Sequence, residues 1–368
     1  MKIPVFDLTR AAGPLASPLA ERWAEQVRSA GFVGGPEVAR FEEAFAAYLG
    51  AGGCAGVANG TDALVVALRA LGLEPGDEVI VPAFTFIATA SAVALAGGTP
   101  VFADVEPDTL NLDPADAEAR ITPRTVGVIG VHLFGRPLDT AGLSALCRRR
   151  GLWWIEDAAQ AHGARLGGER VGTFGALACW SFYPTKNLGA FGDAGAITGG
   201  DADLLARVRR IANHGRSEHY LHGELGTNSR LDALQAAVLN LRLPGLDAAN
   251  RRRREIAARY AEALAGAAGV ELLRDPEGTE PVYHQFTLLT DRRDALREHL
   301  AAAGIGSTVF YPVPLHRQPA LARFAPEGLE LPVTERSAER ALSLPMFPEL
   351  REMELDKVLD GLRTFSFV

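Results

Sequence analysis

Lysine is nearly absent from this chain. Three occur in 368 residues, Lys2, Lys186 and Lys357, and arginine supplies the other 34 of the 37 basic residues. Arginine replaces lysine wherever a fixed positive charge suffices, but its guanidinium stays protonated and does not condense with an aldehyde. The one lysine in the body of the chain, Lys186, therefore points to a task that arginine cannot perform. Cysteine is also scarce. Cys54, Cys147 and Cys179 are odd in number and show no C-x-x-C spacing, which argues against a disulfide framework or a thiolate zinc site and fits a reducing compartment. No apolar run is long enough to cross a bilayer, the longest being Phe86 to Ala96. The opening MKIPVFDLTRAAG lacks the apolar core of a secretory signal, so a cytoplasmic protein is expected. With a net charge of −8, the chain lacks the basic excess of a general nucleic-acid binder. Neither G-x-x-x-x-G-K-[ST] nor G-x-G-x-x-G occurs, and Gly189, Gly192 and Gly195 have the wrong spacing for a dinucleotide fingerprint.

What is present is a soluble globular balance, 48% apolar and 22% charged, on a chain long enough for two domains. From about residue 55 to 200 short apolar runs alternate with helical patterns, the mark of an α/β fold with a mostly parallel sheet. Strands are expected at Val79–Val81, Pro100–Ala103, Val126–His132, Trp153–Glu156, Ala178–Phe182 and Gly195–Thr198, with helices at Thr61–Leu71, Ala88–Ala96 and Thr140–Arg150. A helical stretch from Ser229 to Ala265 is broken at Pro244, and its run Arg251–Arg254 is expected on a solvated face. Strands His284–Leu289 and Ile305–Tyr311, with helix Asp291–Ala303 between them and a last helix at Met353–Thr364, suggest a smaller α+β domain. The expected division is residues 1–244 for an N-terminal arm and large domain, and 245–368 for the small one.

Four junctions carry chemistry. In Val57-Ala58-Asn59-Gly60-Thr61-Asp62 a strand meets a helix start, where free N–H groups suit a phosphate and Thr61 or Asp62 can cap the helix. The strand Trp153–Glu156 runs into Asp157, with Gln160 one turn on, at the sheet end where α/β proteins bind ligands. A carboxylate there can pair with a protonated ring nitrogen. Ser181 and Lys186 follow another strand in SFYPTKNLG, and Pro82-Ala83-Phe84-Thr85-Phe86 ends one in aromatic rings. An anion site, a stacking ring, a carboxylate for a pyridinium and an amine for an aldehyde are the four handles of pyridoxal 5′-phosphate.

The stretches NGTDAL, VPAFTFIATA, EDAAQAHGA, SFYPTKNLGAFGDAGA, NSRLDALQAA, YPVPLH and SLPMFP, in order over nearly the whole chain, resemble the DegT/DnrJ/EryC1/StrS sugar aminotransferases. The resemblance implies an aspartate-aminotransferase-like fold of type I and a homodimer. It assigns the Schiff-base lysine to Lys186, the pyridinium partner to Asp157, and the neighbour of the phenolic oxygen to Gln160. Gly60, Thr61 and Ser181 match phosphate binders, Phe86 the stacking ring, and Asn228 an asparagine that reaches the phosphate of the partner subunit. It further implies transfer from L-glutamate to a nucleotide-linked keto-sugar, in amino-sugar or surface-polysaccharide biosynthesis, with the C3-aminating branch favoured over C4. Arg230 and His316 are candidates to meet the sugar or its phosphates. The two other readings are a pyridoxal-phosphate-binding regulator without turnover and a sugar dehydratase relative; Lys186 argues against the dehydratases, which carry histidine there. His214, His219 and His222 lie together in HGRSEHYLH, but no acidic or thiol partner shares their spacing, so no metal is expected and a mobile polar loop is the reading.

Overall fold

The structure, a computed structural model, describes residues 2–367. Among these residues seven strands form one sheet: β1 Gly53–Val57, β2 Glu78–Pro82, β3 Thr99–Ala103, β4 Thr125–Val131, β5 Trp153–Asp157, β6 Leu177–Ser181 and β7 Gly195–Gly199, in the order β1-β7-β6-β5-β4-β2-β3. The pairs β2–β3, β2–β4, β4–β5 and β5–β6 are parallel, and β7 alone runs against its neighbours β6 and β1. This is the expected mostly parallel α/β sheet. Its strands read as continuous apolar runs because both faces are covered. Alternation along β6 shows how: Cys179 joins one core layer while Ala178 and Trp180 join the other.

Helices α1 Ala16–Ser29 and α2 Pro36–Leu49 precede the sheet, and α3 Gly60–Ala70, α4 Ala88–Ala96, α5 Thr140–Arg150 and α6 Ala202–Ala212 lie between or after its strands. On one face Phe41 and Phe45 of α2 stack at 5.5 Å, and Phe45 meets the edge of Trp180 at 5.1 Å. On the other, α3 and α6 pack Leu64, Leu68, Leu205 and Val208 against Ile155 and Ile197. Neither α1 nor α2 was expected from the sequence, and of β1 only its junction with α3 at Val57 was. The strand GCAGV is short and glycine-rich, so it carries little β signal; its partner β7 holds it in place.

The expected helical stretch is α7 Ala233–Arg242 and α8 Leu246–Leu264, separated by a turn at Leu243–Gly245 around Pro244. Beyond it β8 Glu271–Leu272, β9 Phe286–Leu289 and β10 Ala341–Leu344 form a small antiparallel sheet, with α9 Arg293–Ala302, α10 Pro332–Arg340 and α11 Glu352–Arg363 around it. Two expectations are corrected here, for Ile305–Tyr311 and for Arg251–Arg254. Ile305–Tyr311 is not a strand: Ile305 and Thr308 make only isolated bridges, to Ile3 and Ser343, and β10 takes the place beside β9. The arm packs on the small unit: Ile3 is buried in its core and the Val5 oxygen accepts from the Met346 N–H at 3.0 Å. Arg251–Arg254 is not a uniformly solvated face, since four consecutive residues sweep about 300° of a helix. Arg253 turns inward and donates to the backbone oxygens of Tyr283 (3.1 Å) and Met346 (2.9 Å). Among the described residues no helix is long and apolar enough to cross a membrane.

One buried carboxylate ties the sheet to the loop beyond it. Glu156 of β5 is fully buried and accepts from His132 Nε2 (3.0 Å) and from the N–H groups of Gly172 (2.6 Å), Phe174 (2.8 Å) and Gly175 (2.8 Å). His132 Nδ1 accepts from the Leu138 N–H at 3.1 Å, so the ring proton sits on Nε2 and points at Glu156. Every contact needs an acceptor, and an amide nitrogen would face a donor. Glu156→Gln should therefore lower the unfolding free energy by about 3 kcal/mol despite its matching shape. Equilibrium urea denaturation checks this, and a variant within error of wild type would contradict it.

Candidate active site

The strands β2, β4, β5 and β6 all end at one side of the sheet, and a cavity of about 1000 Å³ opens there. The start of α3 is drawn against the end of β6. A Cβ on Gly60 would lie 2.6 Å from the Ser181 Cβ, so only glycine permits the approach. The helix cap is Asn59 rather than Thr61 or Asp62: its backbone is extended and its Oδ1 accepts from the Asp62 N–H at 2.8 Å. That leaves the N–H groups of Gly60 and Thr61 among those a helix start cannot bond internally, beside the Ser181 hydroxyl. The helix dipole adds positive potential there.

Lys186 sits on the turn after β6. Its N–H donates to the Tyr183 oxygen at 2.8 Å, and the turn is so tight that a Cβ on Gly189 would lie 2.4 Å from the Pro184 oxygen. Burial lowers the amine to a pKa of about 8, and the charge of Asp157 opposes the fall. Beneath the lysine the next residue, Asn187, is buried. It donates to Asn250 Oδ1 and to the Val282 oxygen, both at 2.9 Å. Its own Oδ1 meets His284 Nδ1 at 3.2 Å. With both amide protons committed, that oxygen is the acceptor, so His284 carries its proton on Nδ1. Burial and the Lys186 charge hold the His284 ring well below its ordinary pKa, hence neutral.

Asp157 ends β5. Burial raises its carboxyl above the usual range, opposed by the Thr89 hydroxyl on Oδ2 (2.8 Å), the Ala159 N–H on Oδ1 (3.2 Å) and the charge of Lys186. A cationic ligand nitrogen would complete this carboxylate. Gln160 is held twice, accepting from the Phe134 N–H at 2.6 Å and donating to the Tyr311 hydroxyl at 3.0 Å. The two phenylalanines after β2 part company: Phe84 is 1% exposed and packs in the core, while Phe86 is 54% exposed and faces the cavity.

Gly60, Thr61, Phe86, Asp157, Gln160, Ser181 and Lys186 thus line one cavity. Their donor set fits pyridoxal 5′-phosphate: unbonded N–H groups and a hydroxyl for a phosphate, an open ring face, a buried carboxylate and a desolvated amine. Three other candidates lie elsewhere in this chain. Asn228 and Arg230 are exposed beside the end of α6, where Asn228 bridges to Asn213 and Arg230 Nη1 reaches Asn213 Oδ1 at 3.4 Å. His316 is buried outside the cavity, its Nε2 2.9 Å from Glu335 Oε1 and its ring beside Phe102. His214, His219 and His222 flank or lie in an exposed hairpin, Arg216–Glu218 with Leu221–His222. Among the described residues no cluster able to hold a metal occurs. The sequence reading passed over Tyr311, Thr89, Asn187 and His284. His284 in HQF and Tyr311 in FYPVP lie 98 and 125 residues from Lys186, and no local spacing joins them to it.

Only three lysines exist, so the amine can be watched directly. In cofactor-free protein carrying ¹³Cε-lysine, one of three resonances should titrate near pH 8 rather than at the ordinary 10.5, with the neutral amine prevailing above that pH. Since Asp157 holds the value up, Asp157→Asn should move the midpoint lower. A midpoint at the ordinary value, or one raised by the substitution, would contradict this account.

The whole chain matches known proteins. Residues 17–363 match the family model of the DegT/DnrJ/EryC1/StrS aminotransferases. The dTDP-3-amino-3,4,6-trideoxy-alpha-D-glucose transaminase of Streptomyces venezuelae is 46% identical over 365 residues, 99% of this chain and 96% of the relative. The UDP-2-acetamido-2-deoxy-3-oxo-D-glucuronate aminotransferase of Pseudomonas aeruginosa is 43% identical over 324 residues, 88% of this chain and 89% of the relative. The fold superposes on the crystal structure of NtdA from Bacillus subtilis with its cofactor PMP bound, with a TM-score of 0.91 and 31% identity over 98% of this chain and 84% of the other. With the site's geometry and these similarities together, the chain belongs to the DegT/DnrJ/EryC1/StrS aminotransferase family and is an aminotransferase of fold type I.

Proposed function

We propose that this aminotransferase moves an amino group from L-glutamate to C3 of a nucleotide-linked keto-sugar, in the making of an amino sugar or surface polysaccharide. The observation that carries the reading is the meeting of Lys186, Asp157, Phe86 and the Gly60–Thr61–Ser181 cradle in one cavity. The name of the Streptomyces venezuelae relative, a 3-amino sugar transaminase, supports C3. The cofactor is pyridoxal 5′-phosphate, and its amino form is the group bound in NtdA.

When bound, this cofactor supplies an aldehyde that carries the amino group and a ring that takes up a carbanion's electrons. The rest is the work of side chains. The Lys186 amine, already desolvated, is the nucleophile that tethers the aldehyde carbon. Once displaced by the amino donor, the same Nζ takes a proton from the substrate carbon and returns it on the other side of the exchange. Asp157 keeps the ring nitrogen protonated, aided by Thr89, which holds the carboxylate in place. Gln160, itself fixed by Phe134 and Tyr311, orients the phenolic edge. The α3 N-terminus and Ser181 anchor the phosphate, and Phe86 covers the ring. We place Asn228 at the phosphate of a second copy, so that the working unit is a homodimer with shared sites, and we divide the chain at Pro244.

Lys186→Ala should reduce release of 2-oxoglutarate from L-glutamate by at least about 10⁴-fold. A variant turning over at the wild-type rate would end the assignment. Shared sites have their own test. Lys186→Ala and Asn228→Ala chains, each inactive alone, should on mixing recover about a quarter of wild-type activity, because half of randomly formed dimers keep one intact site. No recovery would place Asn228 outside the shared site.

A further inference from the structure

Helix α8 turns one face inward, its buried residues recurring on the three- and four-residue spacing of a helix side. Three of them are polar, Asn250, Arg253 and Tyr260, and each reaches a different segment. Asn250 Nδ2 donates to the His162 oxygen at 2.8 Å, and its Oδ1 accepts from Asn187, the residue after Lys186. Arg253, one turn on, donates from Nη1 to the oxygens of both Tyr283 and Met346. The Tyr260 hydroxyl donates to the Pro345 oxygen at 2.8 Å.

Arg253 is buried on costly terms. It is 5% exposed, its Nε has no partner, and among the described residues no carboxylate pairs with it. Burial lowers its pKa to about 10, opposed by the charge of Glu349. A charge held this way weakens a fold rather than strengthening it, so its place is explained by what it grips. Tyr283 stands at φ 40°, a left-handed conformation that strains a residue with a side chain and lasts only where the surroundings hold it. His284 and Gln285 follow it directly and line the cavity. Met346 lines the cavity too, and its N–H passes the hold on to Val5 of the arm. One guanidinium thus fixes two separate stretches of cavity wall, neither of which was assigned to the cofactor. All of these bonds lie within one chain, so they hold whatever a second copy adds.

We propose that Arg253 is a positioning residue for the substrates, and that one turn of α8 separates two duties: Asn250 sets the lysine turn, while Arg253 sets the wall against which the substrates lie. This division rests on the proposed function only for its amino donor, L-glutamate.

The holoenzymes of Arg253→Met, Arg253→Lys and Asn250→Ala are compared with wild type in the release of 2-oxoglutarate from L-glutamate. Arg253→Met should raise KM at least about tenfold with kcat within about threefold of wild type, the mark of lost binding common to ground and transition states. Arg253→Lys, whose ammonium also carries several N–H groups, should fall between the two. Asn250→Ala should do the reverse, with kcat lower by at least about tenfold and KM little changed. In the cofactor-free proteins carrying ¹³Cε-lysine, the Lys186 midpoint should stay near pH 8 in Arg253→Met and rise in Asn250→Ala, because a loosened turn lets water reach the amine. A general loss of stability would move both variants alike and cannot produce opposite splits. Should either variant fail to fold, Arg253→Lys and Asn250→Ser read the same split. Unchanged KM in the Arg253 variants overturns the inference, as does a shifted Lys186 midpoint in Arg253→Met, or an Asn250→Ala protein with wild-type kcat and midpoint. If wild type releases no 2-oxoglutarate from L-glutamate, the donor reading falls alone and the titration still decides: a midpoint moved only by Asn250→Ala upholds the division, and one moved by Arg253→Met overturns it.

Discussion

One amine kept out of water beside one carboxylate is the constraint on which this site depends. Desolvation pulls the Lys186 pKa down to about 8, and Asp157 limits how far it falls. The lysine in turn eases the burial of Asp157, whose carboxyl burial pushes above its ordinary range. Each group makes the other tolerable in a low-dielectric cavity. Above about pH 8 the amine is neutral, a nucleophile and a base, and a carboxylate short of a partner is a receptor for a cationic ring nitrogen. The cavity thus makes two demands of opposite kind, and one flat cation with an aldehyde meets both.

Much of the scaffold serves to keep that pair in register. Asp157 ends β5 and Lys186 sits on the turn after β6, and the two parallel strands are adjacent, their alignment matching Asp157 with Cys179. Glu156, one residue before Asp157, secures the strand end through His132 and three backbone donors. Asn187, one residue after Lys186, secures the turn through Asn250, Val282 and His284. Anchors therefore lie one residue away from each reacting group, which fixes the backbone while leaving the functional side chains free for ligand. Asn250 lies on α8, so the lysine turn is also braced against the helix that leads into the small unit.

Legibility followed distance along the chain. Lys186, Asp157, Ser181 and the Gly60–Thr61 junction announce themselves because each is a strand end with a telling residue, and strand ends can be seen in apolar runs. Phe86 was separable from Phe84 only by the bend after β2, which buries one ring and turns the other outward. The network under the lysine was not legible, since Asn187, Asn250 and His284 are brought together by tertiary packing. The pairing of the buried His316 with Glu335 was likewise not legible in YPVPLH, since Glu335 lies on another element. Helices α1 and α2, in the first 50 residues, went unnamed although both have distinct apolar and polar faces. The expected strand at Ile305–Tyr311 failed because the arm and Ser343 bridge it at single residues, leaving the ladder to β10.

The central claim of the proposal is that Lys186, alone of three lysines, holds the cofactor. Reduction of the freshly purified holoenzyme with borohydride, followed by peptide mass mapping, tests it most directly. The account predicts the cofactor's added mass on the peptide that contains Lys186 and on neither of the peptides with Lys2 and Lys357. Added mass on either of those, or none on the Lys186 peptide, would contradict it.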